Sequence, residues 1–182
     1  MLENRTAPGS SSSVPDRQTV TPDGQPVDRL VHGMDIREIT THTDDRGTVF
    51  ELFDQRWGWH DEPVVFSYVF TIRPGAIKGW GLHRRHEDRY ALLFGEMELV
   101  LYDAREDSPT HGLVSKIVLS EHRRQLVNIP AGVWHADRTL GSRDAVIVNF
   151  PTIPYDHAAP DKERLPLDTP LIPYSFEDPA GW

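Results

Sequence analysis

From Leu30 onward the chain alternates short apolar or mixed runs with turn residues at intervals of roughly ten, the spacing of a barrel or sandwich built from many short strands. The pattern predicts strands over Thr48–Phe53, Val64–Ile72, Tyr90–Phe94, Met97–Tyr102, Leu113–Leu119, Gln125–Ile129 and Ala145–Phe150. Along Glu96–Tyr102 polar residues give way to Leu99, Val100 and Leu101, as in a strand that enters a core after a turn at Gly95. No amphipathic helical window of comparable strength competes, so the fold class is all-β.

The two ends read differently. Residues 1 to 29 combine Ala7-Pro8-Gly9, four consecutive serines from Ser10 to Ser13 and Pro22-Asp23-Gly24. Such a stretch buries too little apolar area to offset the entropy of ordering, and it is expected to be a flexible tail ahead of one domain over residues 30–182. After Pro151 come prolines at 154, 160, 166, 170, 173 and 179, with Tyr155, Tyr174, Phe176 and Trp182 among them. Prolines exclude central strands while aromatics need a surface to cover, so an irregular segment wrapped over the barrel is expected.

Composition narrows the field. With 182 residues and 38% hydrophobic content, one core is the default. A formal charge of -9 disfavours a nucleic-acid surface. The absence of cysteine excludes disulfides, thiolate metal sites and cysteine nucleophiles. No stretch approaches the ~20 apolar residues of a membrane span, and Met1 to Val20 lacks the apolar core of a secretory signal, which leads to the expectation of a soluble, cytoplasmic protein.

Two segments carry candidate chemistry: Gly75 through Tyr90, containing His83, His86 and Asp88, and Ile129-Pro130-Ala131-Gly132-Val133-Trp134-His135. In each, glycines flank a histidine at a strand edge. The second is a Pro-x-Gly-x-x-His motif, which resembles the second cupin motif. The first resembles a reduced first cupin motif, with Asp88 ahead of Gly95 where metal-binding cupins place a glutamate, but without the His-x-His pair. His83, Asp88 and His135 would supply three ligands to a divalent metal, with His86 as a substitute for one. His86 itself, within the charged run Arg84 to Arg89, reads as a solvated residue.

A longer resemblance covers residues 38 to 176 and rests on Asp45-Arg46-Gly47-Thr48-Val49-Phe50-Glu51, Gly81-Leu82-His83, Gly95-Glu96, Val100 through Arg105, Ser108-Pro109-Thr110, Leu119-Ser120, Arg124-Gln125-Leu126, the Pro-x-Gly-x-x-His turn and Leu167-Asp168. In order and spacing these fragments resemble the dTDP-4-dehydrorhamnose 3,5-epimerase family of the cupin superfamily. The resemblance implies a jelly-roll β-barrel, no cofactor, a nucleotide-sugar substrate and pairing into a homodimer. It implies proton abstraction beside a ketone, with His83 as base, Asp168 as the carboxylate in hydrogen-bond reach of it, and His135 donating toward the enolate oxygen. Arg46, Glu51, Arg89, Asn149, Trp80 and Tyr155 are the expected substrate contacts, Arg89 as an electrostatic stabiliser. The family's catalytic tyrosine falls on Asn149, which cannot act as a phenolic acid. Two other classes stay open: a metal-dependent cupin oxygenase or isomerase using His83, Asp88 and His135, and a non-catalytic carbohydrate- or metabolite-binding module.

Overall fold

The structure is a computed structural model and describes residues 18–24, 27 and 29–176. Among the described residues twelve strands run in chain order: β1 (Asp35–Glu38), β2 (Thr41–Asp44), β3 (Gly47–Phe50), β4 (Tyr68–Ile72), β5 (Ile77–Leu82), β6 (Asp88–Phe94), β7 (Glu96–Asp103), β8 (Val114–Ser120), β9 (Gln125–Ile129), β10 (Val133–Thr139), β11 (Ala145–Asn149) and β12 (Glu163–Arg164). They form two five-stranded antiparallel sheets, ordered β1-β9-β6-β11-β4 and β12-β5-β10-β7-β8, plus the separate hairpin β2-β3. This is the all-β architecture expected from the spacing of the runs, in the jelly-roll form that the family resemblance implies.

Three apolar clusters organise the layers. Between the sheets, Tyr90 and Leu92 of β6, Met97, Leu99 and Leu101 of β7, Val127 and Ile129 of β9, and Ala145 and Ile147 of β11 form the main core. Alternation then puts Ala91, Leu126 and Val148 on the outer face of the first sheet, where Ile39, Phe50, Phe53, Trp57 and Trp59 cover them. Trp80, Val100 and Ala136 occupy the outer face of the second sheet beneath Leu165, Ile172, Tyr174 and Phe176. The proline-rich segment therefore wraps the barrel as its aromatics demand. Trp182 lies outside the described residues.

Turn chemistry fixes the register. Gly95 joins β6 to β7 at φ +85, and a Cβ there would stand 2.6 Å from the Asp144 carbonyl oxygen, so only glycine fits. At the far end of β7 the Asp103 carboxylate accepts from the Arg105 guanidinium (2.8 Å), the Ser108 hydroxyl (2.5 Å) and the Thr110 hydroxyl (2.6 Å). The Tyr102 to Thr110 part of the motif pattern is thus a loop clamp. Asp45 and Arg46 form the turn between β2 and β3, as their sequence suggests. At the N-terminal end, residues 1–17, 25, 26 and 28 of the expected tail lie outside the described residues. Thr21 to Gly24 closes a turn (2.9 Å), and from Arg29, whose carbonyl accepts from Ser115 (2.7 Å), the chain is tied to the barrel.

Candidate active site

One end of the barrel gathers polar side chains from five strands and from the chain before β12. In β10, Val133, His135, Asp137 and Thr139 share one face, so the strand turns imidazole and carboxylate where its neighbours turn leucine. His135 pairs with Gly81 of β5, and Asn149 of β11 lies between Tyr68 of β4 and Tyr90 of β6. A Cβ on Gly81 would stand 2.8 Å from Lys162 Cε, so this glycine admits the lysine beside His135.

Asp88, at the start of β6, is the hub. Its Oδ2 lies 3.3 Å from His83 Nε2 and 3.6 Å from His135 Nε2, and its Oδ1 lies 3.5 Å from His86 Nε2. The Asn149 amide donates to Oδ1 at 2.7 Å and the Tyr90 hydroxyl to Oδ2 at 3.5 Å. Burial opposes ionisation of Asp88, but the His86 ring, the charge of His135 and His83 when they are protonated, and the Asn149 amide outweigh it and hold the carboxyl below the usual carboxylate range.

The tautomers follow from the partners. His83 Nδ1 meets the Asp161 carbonyl and His135 Nδ1 meets the Val133 carbonyl at 3.3 Å. A carbonyl can only accept, so both rings carry their proton on Nδ1 and present Nε2 as the basic atom. Both Nε2 atoms are buried without a hydrogen-bond partner. Burial lowers the pKa of His83 despite the attraction of Asp88, and takes that of His135 down to about 4. Asp161 completes the support: its carboxylate holds His86 Nδ1 at 3.0 Å and accepts from the backbone N–H groups of Arg84 and Arg85.

Two adjoining cavity lobes, of about 430 and 380 Å³, open onto this cluster and share Tyr68, Lys162 and Arg164. Lys78, Tyr90, His135 and Asp137 line the first; Phe66, His83, His86, Ile153 and Tyr155 line the second. Burial pushes Asp137 up to about 7, the Lys162 ammonium opposing and Asp88 adding to the rise. Burial likewise lowers Lys162, with Asp88 and Asp137 opposing. Among the described residues, His83, Asp88 and His135, and separately His83, His86 and Asp161, bring their donor atoms within 4.8 Å of one another and could accommodate a cation.

A buried imidazole with an unclaimed basic nitrogen, a carboxylate beside it and a cleft of this size are able to move a proton. The sequence profile of dTDP-4-dehydrorhamnose 3,5-epimerase matches residues 29–167. The chain belongs to this family. The probable low-salt glycan biosynthesis epimerase Agl13 of Haloferax volcanii is 33% identical over 139 residues, covering 76% of this chain and 89% of the relative. The crystal structure of the dTDP sugar isomerase of Desulfovibrio desulfuricans superposes with a TM-score of 0.75 at 28% identity, covering 80% of this chain and 91% of the other. ChmJ, a 3'-monoepimerase of Streptomyces bikiniensis solved with dTDP-quinovose, gives 0.71 at 26% identity, covering 84% of this chain and 79% of the other.

Within this member of the dTDP-4-dehydrorhamnose 3,5-epimerase family several expected site residues lie elsewhere. Asp168 is exposed in the turn before Thr169 and makes no hydrogen bond or ion pair with His83, whose neighbouring carboxylate is Asp88. Arg89 is fully buried behind the sheet. Its guanidinium donates to the carbonyls of Phe150 (2.7 Å), Glu62 (2.6 Å) and Pro63 (3.0 Å) and covers Phe53, so it is a brace and not a cleft cation. Trp80 faces outward against Tyr174 and Phe176. Arg46, paired with Asp44, and Glu51 line surface depressions away from the cleft of their own chain. Asn149 is buried, bonded to Asp88, to Tyr68 (3.0 Å) and to the Arg89 N–H (3.0 Å). His86 is buried in the cluster, not solvated, because Asp88 and Asp161 receive its two nitrogens. His83, His135 and Tyr155 do line the cleft. Lys162, Asp137, Lys78, Tyr68 and Asp161 went unnoticed in the sequence, although the alternating His135, Asp137 and Thr139 carried a signal once β10 is recognised as a strand.

Proposed function

We propose that the protein is an epimerase that inverts one carbon beside the ketone of a dTDP-linked keto-deoxysugar, with His83 taking the proton. The observation that carries this reading is the state of His83: Nδ1 is committed to the Asp161 carbonyl, so Nε2 is the free base, and Asp88 stands 3.3 Å away to stabilise the imidazolium that forms. Its lowered pKa, which comes from burial, keeps the ring neutral and able to accept at neutral pH. Lys162, between the lobes, supplies the cation for the enolate oxygen in place of the remote Arg89. Lys162 and Arg164 also suit an anionic diphosphate at the junction, while Phe66, Ile153 and Tyr155 offer an apolar wall to a base.

The proposal extends to assembly. Hairpin β2-β3 is exposed along nearly its whole length, with Val49 68% exposed, and serves here as the surface on which two copies pair into a homodimer. Sedimentation velocity should give a dimer; a monomer at tens of micromolar would remove this part.

The catalytic part is tested with dTDP-4-keto-6-deoxyglucose in deuterated water. His83→Ala should slow deuterium incorporation beside the ketone by ~10²–10⁴-fold, the usual contribution of a positioned base. An unchanged rate would discard His83.

A further inference from the structure

Asp137 stands apart from the other buried carboxylates. Asp103 is satisfied by Arg105, Ser108 and Thr110, and Glu98 by Tyr174 (2.9 Å), Arg138 (2.8 Å) and Lys116 (3.5 Å). Asp137 is 4% exposed, its Oδ1 is shielded without a partner, and no hydrogen bond or ion pair reaches its side chain among the described residues. A structural carboxyl left without donors is destabilising, and the fold provides donors for its other acids. What Asp137 faces is the first lobe of the cleft, together with Lys78 of β5, Lys162, His135 of its own strand, Tyr90 of β6 and Tyr68 of β4.

Its position relative to His83 gives the geometry a use. His83 opens into the second lobe and Asp137 into the first, and the lobes meet at Tyr68, Lys162 and Arg164. A sugar ring held at that junction lies between the lobe that His83 lines and the lobe that Asp137 lines. Inversion needs a donor on the face opposite the base, and the Asn149 amide, already bonded to Asp88 and Tyr68, releases no proton.

We propose that Asp137 is the second proton-transfer residue, delivering a proton to the carbon from the side opposite His83. The inference rests on the epimerase reading given above. In the first step His83 Nε2 takes the proton beside the ketone, the C–H electron pair becomes the C=C bond, and the carbonyl π pair moves to oxygen near Lys162. In the second step that oxygen pair re-forms C=O, and the C=C pair takes the Asp137 proton to make the new C–H bond. His83 is left as imidazolium and Asp137 as carboxylate, and exchange with solvent returns both to their starting states. No hydrogen bond holds the buried Asp137 carboxyl in another role, and it faces the lobe beside the junction.

The test uses the full chain and dTDP-4-keto-6-deoxyglucose in deuterated water. Asp137→Asn keeps the shape and removes the proton. Inverted product should fall by ~10²–10⁴-fold relative to the deuterium that His83 returns with retention. Asp137→Glu, which keeps a carboxyl on the same strand, should retain more inversion than Asp137→Asn, which tests the assignment even if the amide variant folds poorly. Inversion by Asp137→Asn at the parent rate, equal loss of exchange and inversion in a folded variant, or no more inversion in Asp137→Glu than in Asp137→Asn would each overturn Asp137 while leaving His83 standing. A parent protein with neither exchange nor inversion would overturn the reading of the cleft, and Asp137 with it.

Discussion

Replacing Asp137 with asparagine should stabilise the protein, and increasingly so as pH rises. An aspartate in the unfolded chain titrates near 3.8, whereas burial raises this one to about 7 in the fold. Between those values the folded state holds a proton that the unfolded state has lost, so ionisation favours unfolding and the group's contribution to stability falls as pH climbs. At about 1.36 kcal/mol per pH unit, raising pH from 5 to 8 should cost the parent about 3 kcal/mol relative to the variant, nearly all of it below about pH 7.5. The attractions of Lys162 and Lys78 already oppose this rise in pKa. Urea unfolding of both proteins at pH 5, 6, 7 and 8 reads the difference directly, provided the slopes against urea agree. His83 and His135 titrate in both proteins, so to first order their contributions cancel. A difference that stays flat across this range would mean that Asp137 is already ionised in the fold, and a carboxylate has no proton to donate.

Arg89→Met should destabilise: the buried Phe150 carbonyl loses its donor, as do the carbonyls of the exposed Glu62 and Pro63, and at about 1–3 kcal/mol for a buried acceptor left unpaired the loss by urea unfolding is above about 1 kcal/mol. A loss under about 1 kcal/mol, the scale of an ordinary point mutation, would contradict its role as a brace. Elemental analysis of the purified chain should find transition metal well below one ion per chain, and chelator should leave deuterium exchange unchanged. Stoichiometric metal whose removal abolishes exchange would instead assign His83, Asp88 and His135 to a cation.

How much of this was legible in the sequence depended on where polar groups sit. Strands β6, β7, β8, β9 and β11 announced themselves because their inward positions are apolar, Leu92, Leu99 and Val127 among them. Strands β5 and β10 did not, because they build the cleft: β5 places Gly79 and Gly81 along it and β10 places His135 and Asp137 there, which inverts the expected pattern. Function thus erased the strand signal where it was most informative. His83 and His135 were recoverable from their glycine-flanked motifs. The partner of His83 was not, since the order of motifs favoured Asp168 while the geometry supplies Asp88, five residues along the chain. His86 read as solvated because its charged neighbours Arg84 and Arg85 are exposed, although the chain turns its ring inward between two carboxylates. Lys162 comes from the irregular segment, where no periodicity predicts direction, and only the space left by Gly81 accounts for its place.

The central claim, proton transfer at a carbon beside a ketone of a dTDP-sugar, is tested most directly by nuclear magnetic resonance of dTDP-4-keto-6-deoxyglucose incubated with the protein in deuterated water. The account predicts deuterium at one carbon adjacent to the ketone, with that carbon inverted in part of the product and the other adjacent carbon unlabelled. Substrate recovered without deuterium, or labelled and inverted at both carbons with equal efficiency, would contradict it.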